Sequence, residues 1–477
     1  VKATNPRTGE CDHEFAESTP EDVASVSARL RAMQPEWEAR GAAGRGAILC
    51  AFADALERHA GAIVAALAID TGRSAIARVE LDTIVRRLRG WSARAAELFA
   101  ALPGEATQSA TPGILIEPRW SAYPLFGAIA PWNFPLLLSH IDAIPALAAG
   151  CAALVKPSEV TPRFVAPLSA ALAEVPELPL AYVLGGAGTG EALVAHADYV
   201  CFTGSTATGR KVALAAAARL IPVNLELGGK DPLIVAASAD PVDAARIALR
   251  ASVVATGQAC QSIERVYVAR AIAEPFLAEL VRAANAVELA WPDPGRGHLG
   301  PFIFPAQADK VAAQIADARS QGAQVLAGGE VETLGGGKYL RPTVLTGVTA
   351  DMAVMRDETF GPVIPVIPFD TIDEAVALAN AGEFGLSAAV VAGTVEEAAE
   401  IGAQLDAGAI SLQDGALTSM VGDATNHSRK GSGLGPSRMG DEGLLRFLRR
   451  QALLRQTGAP APIAAFAEDH RREEHHR

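Results

Sequence analysis

Glu226 and Cys260 are the side chains in this chain best suited to covalent chemistry, and each lies in a glycine-rich word: Leu225-Glu226-Leu227-Gly228-Gly229-Lys230 and Gly257-Gln258-Ala259-Cys260. A thiolate adds to a carbonyl carbon and later leaves as part of a thioester, and a carboxylate activates the water that ends such a cycle. Either residue alone reads as structure. A lone cysteine packs as a small hydrophobe, and a carboxylate at the end of an apolar run points into solvent. The neighbouring residues alter this reading: Gly228, Gly229 and Gly257 permit close backbone approach, and Gln258 is expected to bring an amide beside the thiol. Together the two words imply covalent catalysis on an aldehyde or acyl group.

Such residues need a frame. Between residues 127 and 226, short apolar runs at 127–130, 152–155, 181–184, 199–202 and 223–227 alternate with Ala-rich stretches, which predicts strands of a parallel α/β sheet. A second pattern follows Lys230, with strands expected at 233–235, 265–268, 365–368 and 388–391. Helix starts are expected after Thr19, Thr161, Asp240, Thr371 and Thr394, whose side-chain oxygens can cap free amides. Gly204-Ser205-Thr206-Ala207-Thr208-Gly209 follows one strand and opens a helical run to Leu220, so helix N-terminal amides can face a pyrophosphate. No G-x-G-x-x-G is present, and Gly185-Gly186-Ala187-Gly188-Thr189-Gly190 has the wrong spacing. Lys156 and Glu159 follow another strand, at the carboxyl edge where open α/β sheets bind ligands.

Composition narrows the class without naming it. The 477 residues, 50% hydrophobic and 20% charged, suffice for two or three domains. A formal net charge of −13 argues against a broad nucleic-acid surface. Five cysteines without a C-x-x-C pair indicate neither a disulfide framework nor a metal site, and reduced thiols suit a cytoplasmic enzyme. No leader and no membrane segment are expected, and the end of the chain, 458–477, reads as a flexible, solvated tail.

Six words stand in a fixed order: Pro131-Trp132-Asn133-Phe134-Pro135, Lys156-Pro157-Ser158-Glu159, Phe202-Thr203-Gly204-Ser205, Glu226 to Lys230, Gly257 to Cys260, and Glu358-Thr359-Phe360-Gly361-Pro362-Val363. In these words the chain resembles the aldehyde dehydrogenase superfamily, from Asn5-Pro6-Arg7-Thr8-Gly9-Glu10 to about Leu454. The resemblance implies an α/β fold of two Rossmann-like lobes plus a small β oligomerisation arm. Residues 1–105 and 122–227 would bind NAD, 228–439 would form the catalytic domain, and 106–121 with 440–457 would form the arm. Family members carry more chain before the first word, so trimming ahead of Val1 is expected.

By the same resemblance, Cys260 is the nucleophile, Asn133 donates to the oxyanion, and Glu226 activates the water that hydrolyses the thioester. Relatives that pass the acyl group to coenzyme A lack such a base. Trp132, Lys156, Ser158, Glu159, Gly204, Ser205, Gly209, Leu227, Gly228, Glu358 and Phe360 are implied to hold the cofactor. A carboxylate at Glu159 favours NAD over NADP by repelling the extra phosphate, although NADP stays open. The substrate tunnel is implied to be lined by Phe134, Leu137, Leu138 and Ile141, by Ala259 and Gln261, and by the loop 416–420. Most of these are apolar and none is arginine, which leads to the expectation of an uncharged aliphatic or aromatic aldehyde. The chain departs from the family at Ser411 to Gly415 and from Leu417 to Arg429, where Arg429 or Arg438 could swing inward. A homodimer or homotetramer is implied. The alternatives are a semialdehyde-acid dehydrogenase, a cysteine-dependent esterase without redox chemistry, and a silent scaffold.

Overall fold

The structure is a computed structural model that describes residues 1–466 and Glu468. Its frame is α/β, built on two open sheets. In the first, Leu125–Ile129, Ala152–Lys156, Leu180–Tyr182, Tyr199–Thr203 and Val223–Glu226 run parallel, and all five runs expected from the sequence are present with ends shifted by a few residues. The strand Val223–Glu226 ends on Glu226, which places that carboxylate at the carboxyl edge of the sheet. Gly433–Leu434 returns to this sheet from far along the chain and pairs antiparallel, Gly433 opposite Glu226.

The second sheet has the order Gln324–Ala327, Thr343–Thr346, Val363–Phe369, Ile263–Ala269, Asp231–Val235, Ser387–Val391, Ala409–Leu412. Four of these strands were expected. The three others are four-residue runs whose period is too short to separate from turns. Val363–Phe369 lies inside the sheet although it carries Pro365 and Pro368. Three residues apart, the two ring nitrogens face opposite neighbours, so each ladder loses one donor.

A third sheet pairs Leu448–Gln456 with Ile114–Ala122 over nine residues, with Thr107–Gln108 on the far side. Past it, Ile463–Phe466 forms a single 3-10 turn, while most of the charged end of the expected tail lies outside the described residues.

Four helices, Pro20–Ala39, Gly41–Arg58, Ala60–Thr71 and Ser74–Ala101, precede the first sheet. All four share with it an apolar core that holds Trp37, Leu49, Phe52, Leu67, Leu81, Phe126 and Phe447. Thr19, Asp240, Thr371 and Thr394 cap their helices as expected. Thr161 does not: the helix starts only at Val165, and the buried Thr161 hydroxyl has no partner among the described residues. Also among the described residues, no helix is long and apolar enough to cross a membrane.

Candidate active site

Cys260 lies in the turn that feeds the strand Ile263–Ala269, directly after a kink at Ala255, Thr256 and Gly257, where φ is 57°, 62° and 65°. Two non-glycine residues in left-handed conformation store strain that the packing around them must hold. Thr256 Oγ1 donates to Gly300 O at 3.1 Å, and a Cβ on Gly257 would stand 2.4 Å from the Gly361 carbonyl carbon, so only glycine fits. Gln258 does not bring its amide to the thiol. Its Oε1 accepts from Ile303 N at 2.9 Å and its Nε2 donates to Pro301 O at 3.3 Å, so this fully buried side chain anchors the turn instead.

Cys260 as a whole is half-buried, and burial of its thiol pushes it up to about 12, with the charges of Asp231 and Glu226 adding to the shift and Arg438 opposing it. These effects all favour the neutral thiol over the thiolate, Arg438 excepted. Gly229 brings the Glu226 word to the nucleophile: a Cβ there would meet Cys260 O at 2.8 Å.

Glu226 Oε2 accepts from Ser428 Oγ at 2.8 Å. Burial raises its carboxyl above the ordinary range, with Arg438 and Ser428 pulling the other way. Arg438 is committed elsewhere: Nη2 donates to Asp142 Oδ2 at 2.5 Å and to Thr203 Oγ1 at 2.7 Å. Arg446 donates to Asp142 Oδ1 at 2.5 Å. Burial alone would raise Asp142, but the two guanidinium groups outweigh it and hold the carboxyl below its usual range. Arg438 is thus a buried structural cation rather than a mobile clamp, and Arg429 sits outside, paired with Asp406 at 3.3 Å.

Asn133 Nδ2 donates to Gln258 O at 3.0 Å, two residues from the nucleophile. The helix Ser74–Ala101 grips its segment on both sides. Arg73, at the N-cap, donates to the Asn133 carbonyl and lays its guanidinium 5.0 Å from the Phe134 ring centroid. Glu80 accepts from the Leu136 and Leu137 amides at 3.0 Å each. Sequence reasoning missed Arg73, Glu80, Asp142, Ser428 and Arg446, because their partners lie 56 or more positions away and no local motif marks them.

The proposed cofactor residues ring the other side. Ser205 caps the helix Thr206–Ala218 through Thr208 N at 3.3 Å, leaving the first-turn amides for an anion. Gly209 packs on Leu227, whose Cδ2 would lie 2.4 Å from a Cβ, and Gly204 lies against the Phe202 ring. Lys156, buried at the strand end, donates to Glu159 Oε2 at 3.1 Å, and Ser158 Oγ accepts from Val160 N. Glu358 accepts from Gly229 N at 3.2 Å, and the absence of a Cβ on Gly228 admits its carboxylate. Burial and the Glu264 charge push Glu358 up to about 7. Trp132 and Phe360 meet edge to face at 5.4 Å. The buried pair Lys230–Glu264, at 2.7 Å, holds this segment: Glu264 accepts from the Thr359 and Phe360 amides, both at 2.7 Å. A helix N-terminus, the buried Lys156 ammonium and the partly exposed Glu159 carboxylate along one sheet edge fit the phosphates and ribose hydroxyls of a dinucleotide.

Among the tunnel residues, Phe134, Leu137, Leu138, Ala259 and Gln261 are partly exposed, whereas Ile141 is buried at 4% exposure and offers little surface to a ligand.

The sequence profile described as Aldehyde dehydrogenase family matches residues 1–453, and the chain belongs to that family. It is thereby an NAD(P)-dependent aldehyde oxidoreductase. A Mycolicibacterium smegmatis protein with the provisional name succinate-semialdehyde dehydrogenase, NADP(+), is 38% identical over 442 residues, 91% of this chain and 84% of its own. A solved structure from Anabaena variabilis, provisionally called aldehyde dehydrogenase PutA, has a TM-score of 0.94 at 46% identity, covering 97% and 98% of the two chains. Betaine aldehyde dehydrogenase from Staphylococcus aureus in complex with NAD+ has a TM-score of 0.89 at 28% identity, covering 97% and 92%.

Proposed function

We propose that this enzyme oxidises an aldehyde to the carboxylic acid through a thiohemiacetal and a thioester on Cys260, with Glu226 activating the hydrolytic water and NAD as the preferred cofactor. One observation carries it: Asn133, through Gln258 O, and the Glu226 word, through Gly229, both close on the turn that holds Cys260. The thiol gives its proton to solvent water and adds as thiolate to the aldehyde carbon, while the Asn133 amide and the Cys260 N–H donate to the oxyanion. When bound, the nicotinamide dinucleotide supplies the hydride acceptor that turns the adduct into a thioester. Glu226, with Ser428 fixing one oxygen, takes a proton from the attacking water. A carboxylate whose affinity for protons is raised by burial is the stronger base for that step.

Glu159 beside Lys156 supports NAD, since a 2′-phosphate would meet a negative charge there. Residues 1–105 and 122–227 would form the cofactor lobe, 228–439 the catalytic lobe, and the arm would pair with another subunit. Partly exposed Phe134, Leu137, Leu138 and Ala259 support a hydrocarbon segment next to the carbonyl. The esterase alternative is separated from this reading by calorimetry, which should show NAD binding for a dehydrogenase and none for an esterase.

NADH formation followed across an aldehyde panel tests the mechanism. Cys260→Ser is expected to show no turnover, and Glu226→Gln a burst of NADH followed by slow release. Asn133→Ala, lacking a donor worth about 3–4 kcal/mol, should be slower by ~100-fold or more. Equal steady-state rates in Glu226→Gln and wild type would remove Glu226 from its role.

A further inference from the structure

The helix Ser74–Ala101 presents Glu80, Ile84, Arg87 and Trp91 at spacings of four, three and four, which puts them on one face. Glu80 begins that face at the Asn133 segment through Leu136 and Leu137. Two turns on, Arg87 reaches an open cavity of about 410 Å³, bounded on one side by Thr83, Arg87 and Trp91 and on the other by Met420, Gly422 and Gly440. Met420 ends the loop 416–420 that the family resemblance lays along the substrate path.

Three arginines and two aspartates border this cavity. Arg86 donates to Thr83 Oγ1 at 2.9 Å, and Arg94 binds Asp441 at 2.8 and 2.6 Å. Arg87 differs: among the described residues nothing accepts a hydrogen bond from it or pairs with it, although it is half-buried. Gly422 makes room for its guanidinium, since a Cβ there would stand 3.0 Å from Nη2. The charges that act on it are Arg438 and Arg86, which repel it, and Asp142, which attracts it. Asp142 is already shared between Arg438 and Arg446, so its charge is spent. Asp423 stands exposed at the rim, and Arg94 is taken by Asp441 and Glu97, which leaves Arg86 and Arg87 as the lining cations that hold no carboxylate among the described residues. A guanidinium offers five donors in a planar fork that matches a carboxylate, and a half-buried one without an acceptor is held ready for such a group. Arg438 is the charge the two places share: it acts on Arg87 and also on Glu226 and Cys260.

We propose that Arg87 binds the carboxylate of an aldehyde carrying an acid group at its far end, and so selects an anionic aldehyde over a neutral one. This rests on Cys260 being the nucleophile. It revises the expectation of an uncharged substrate, which considered only residues near Asn133, the nucleophile and the loop.

The test is steady-state NADH formation on aldehyde pairs of matched size, one ending in carboxylate and the other in isopropyl, in a series of increasing chain length. Wild type, Arg87→Met, Arg87→Lys and Arg89→Met are compared; Arg89 pairs with Asp54 and Glu57 away from the cavity and serves as the control. Wild type should prefer the acid at one or more lengths. Arg87→Met should lower the acid-to-neutral ratio of kcat/KM by roughly 10- to 100-fold, chiefly through KM, as expected for losing a charge-assisted pair. Arg87→Lys should recover part of it, and Arg89→Met should leave the ratio as in wild type. A ratio unmoved by Arg87→Met, or a wild type that prefers the neutral partner at every length, overturns the proposal while the Cys260 mechanism stands. Turnover that survives in Cys260→Ser strikes the mechanism instead, and this inference with it.

Discussion

At the scale of single residues, reactivity is set by crowding of charge around one sulfur. Burial, Asp231 and Glu226 all disfavour the Cys260 thiolate, and Arg438 only partly offsets them. Glu226, the hydrolytic base in the proposed cycle, therefore suppresses the thiolate. Removing its charge should lower the thiol pKa, because an anion next to an ionising thiol raises that pKa. Alkylation of Cys260 by iodoacetamide, followed by mass spectrometry at pH 8–9 with exposed Cys11 as internal reference, should be roughly threefold or more faster in Glu226→Gln than in wild type. A slower variant would show that Glu226 acts on the free enzyme by accepting the thiol proton, and would sink this account of the resting state.

At the scale of elements, the helix Ser74–Ala101 positions Asn133 through Arg73 and Glu80, one on each side of it. Burial drives Glu80 up to about 7, while the Leu136 and Leu137 amides and the Arg73 charge oppose the shift. Its Oε1 has no partner among the described residues, which suits a carboxyl that carries its proton there. A raised folded-state pKa gives stability that is fully present below the unfolded value, near 4.3, and is lost as pH rises through about 7. Wild type should accordingly lose thermal midpoint between pH 5 and 8, and Glu80→Gln should lose less over the same window; parallel curves would show that Glu80 does not titrate there. None of this clamp was legible in the sequence. The strands were, because parallel buried strands read as apolar runs, and so was the close approach of the Glu226 and Cys260 words, because Gly228, Gly229 and Gly257 mark where backbones must touch. What stayed hidden depends on long-range pairing: Asp142 with Arg438 and Arg446, Ser428 with Glu226, and the true placement of Gln258, whose amide packs toward Ile303 and Pro301.

At the scale of the whole molecule, two open sheets supply the two halves of the site, and Gly433–Leu434 ties them by crossing back to pair with the strand that ends in Glu226. That crossing carries Ser428 to the base and sets the 416–430 region beside the cavity of Arg87. The third sheet serves neither half. Leu448–Gln456 lies at its outer edge, with one side paired to Ile114–Ala122 and the other side free, and Leu454 is 70% exposed. A nine-residue edge with open N–H and C=O groups and an exposed leucine is unstable against pairing, and coverage by a second copy would satisfy it. Arg449 and Arg450 are held over the Tyr123 and Trp120 rings, so these two charges do not blunt the edge fully. Sedimentation velocity should give the mass of a dimer or tetramer. The association should strengthen with added salt, because two chains of net charge −13 repel. Leu454→Asp should shift the population toward monomer without changing the far-ultraviolet circular dichroism. A monomeric wild type would leave the edge uncovered and refute the assembly, and an unchanged mass in Leu454→Asp would place the contact on another face.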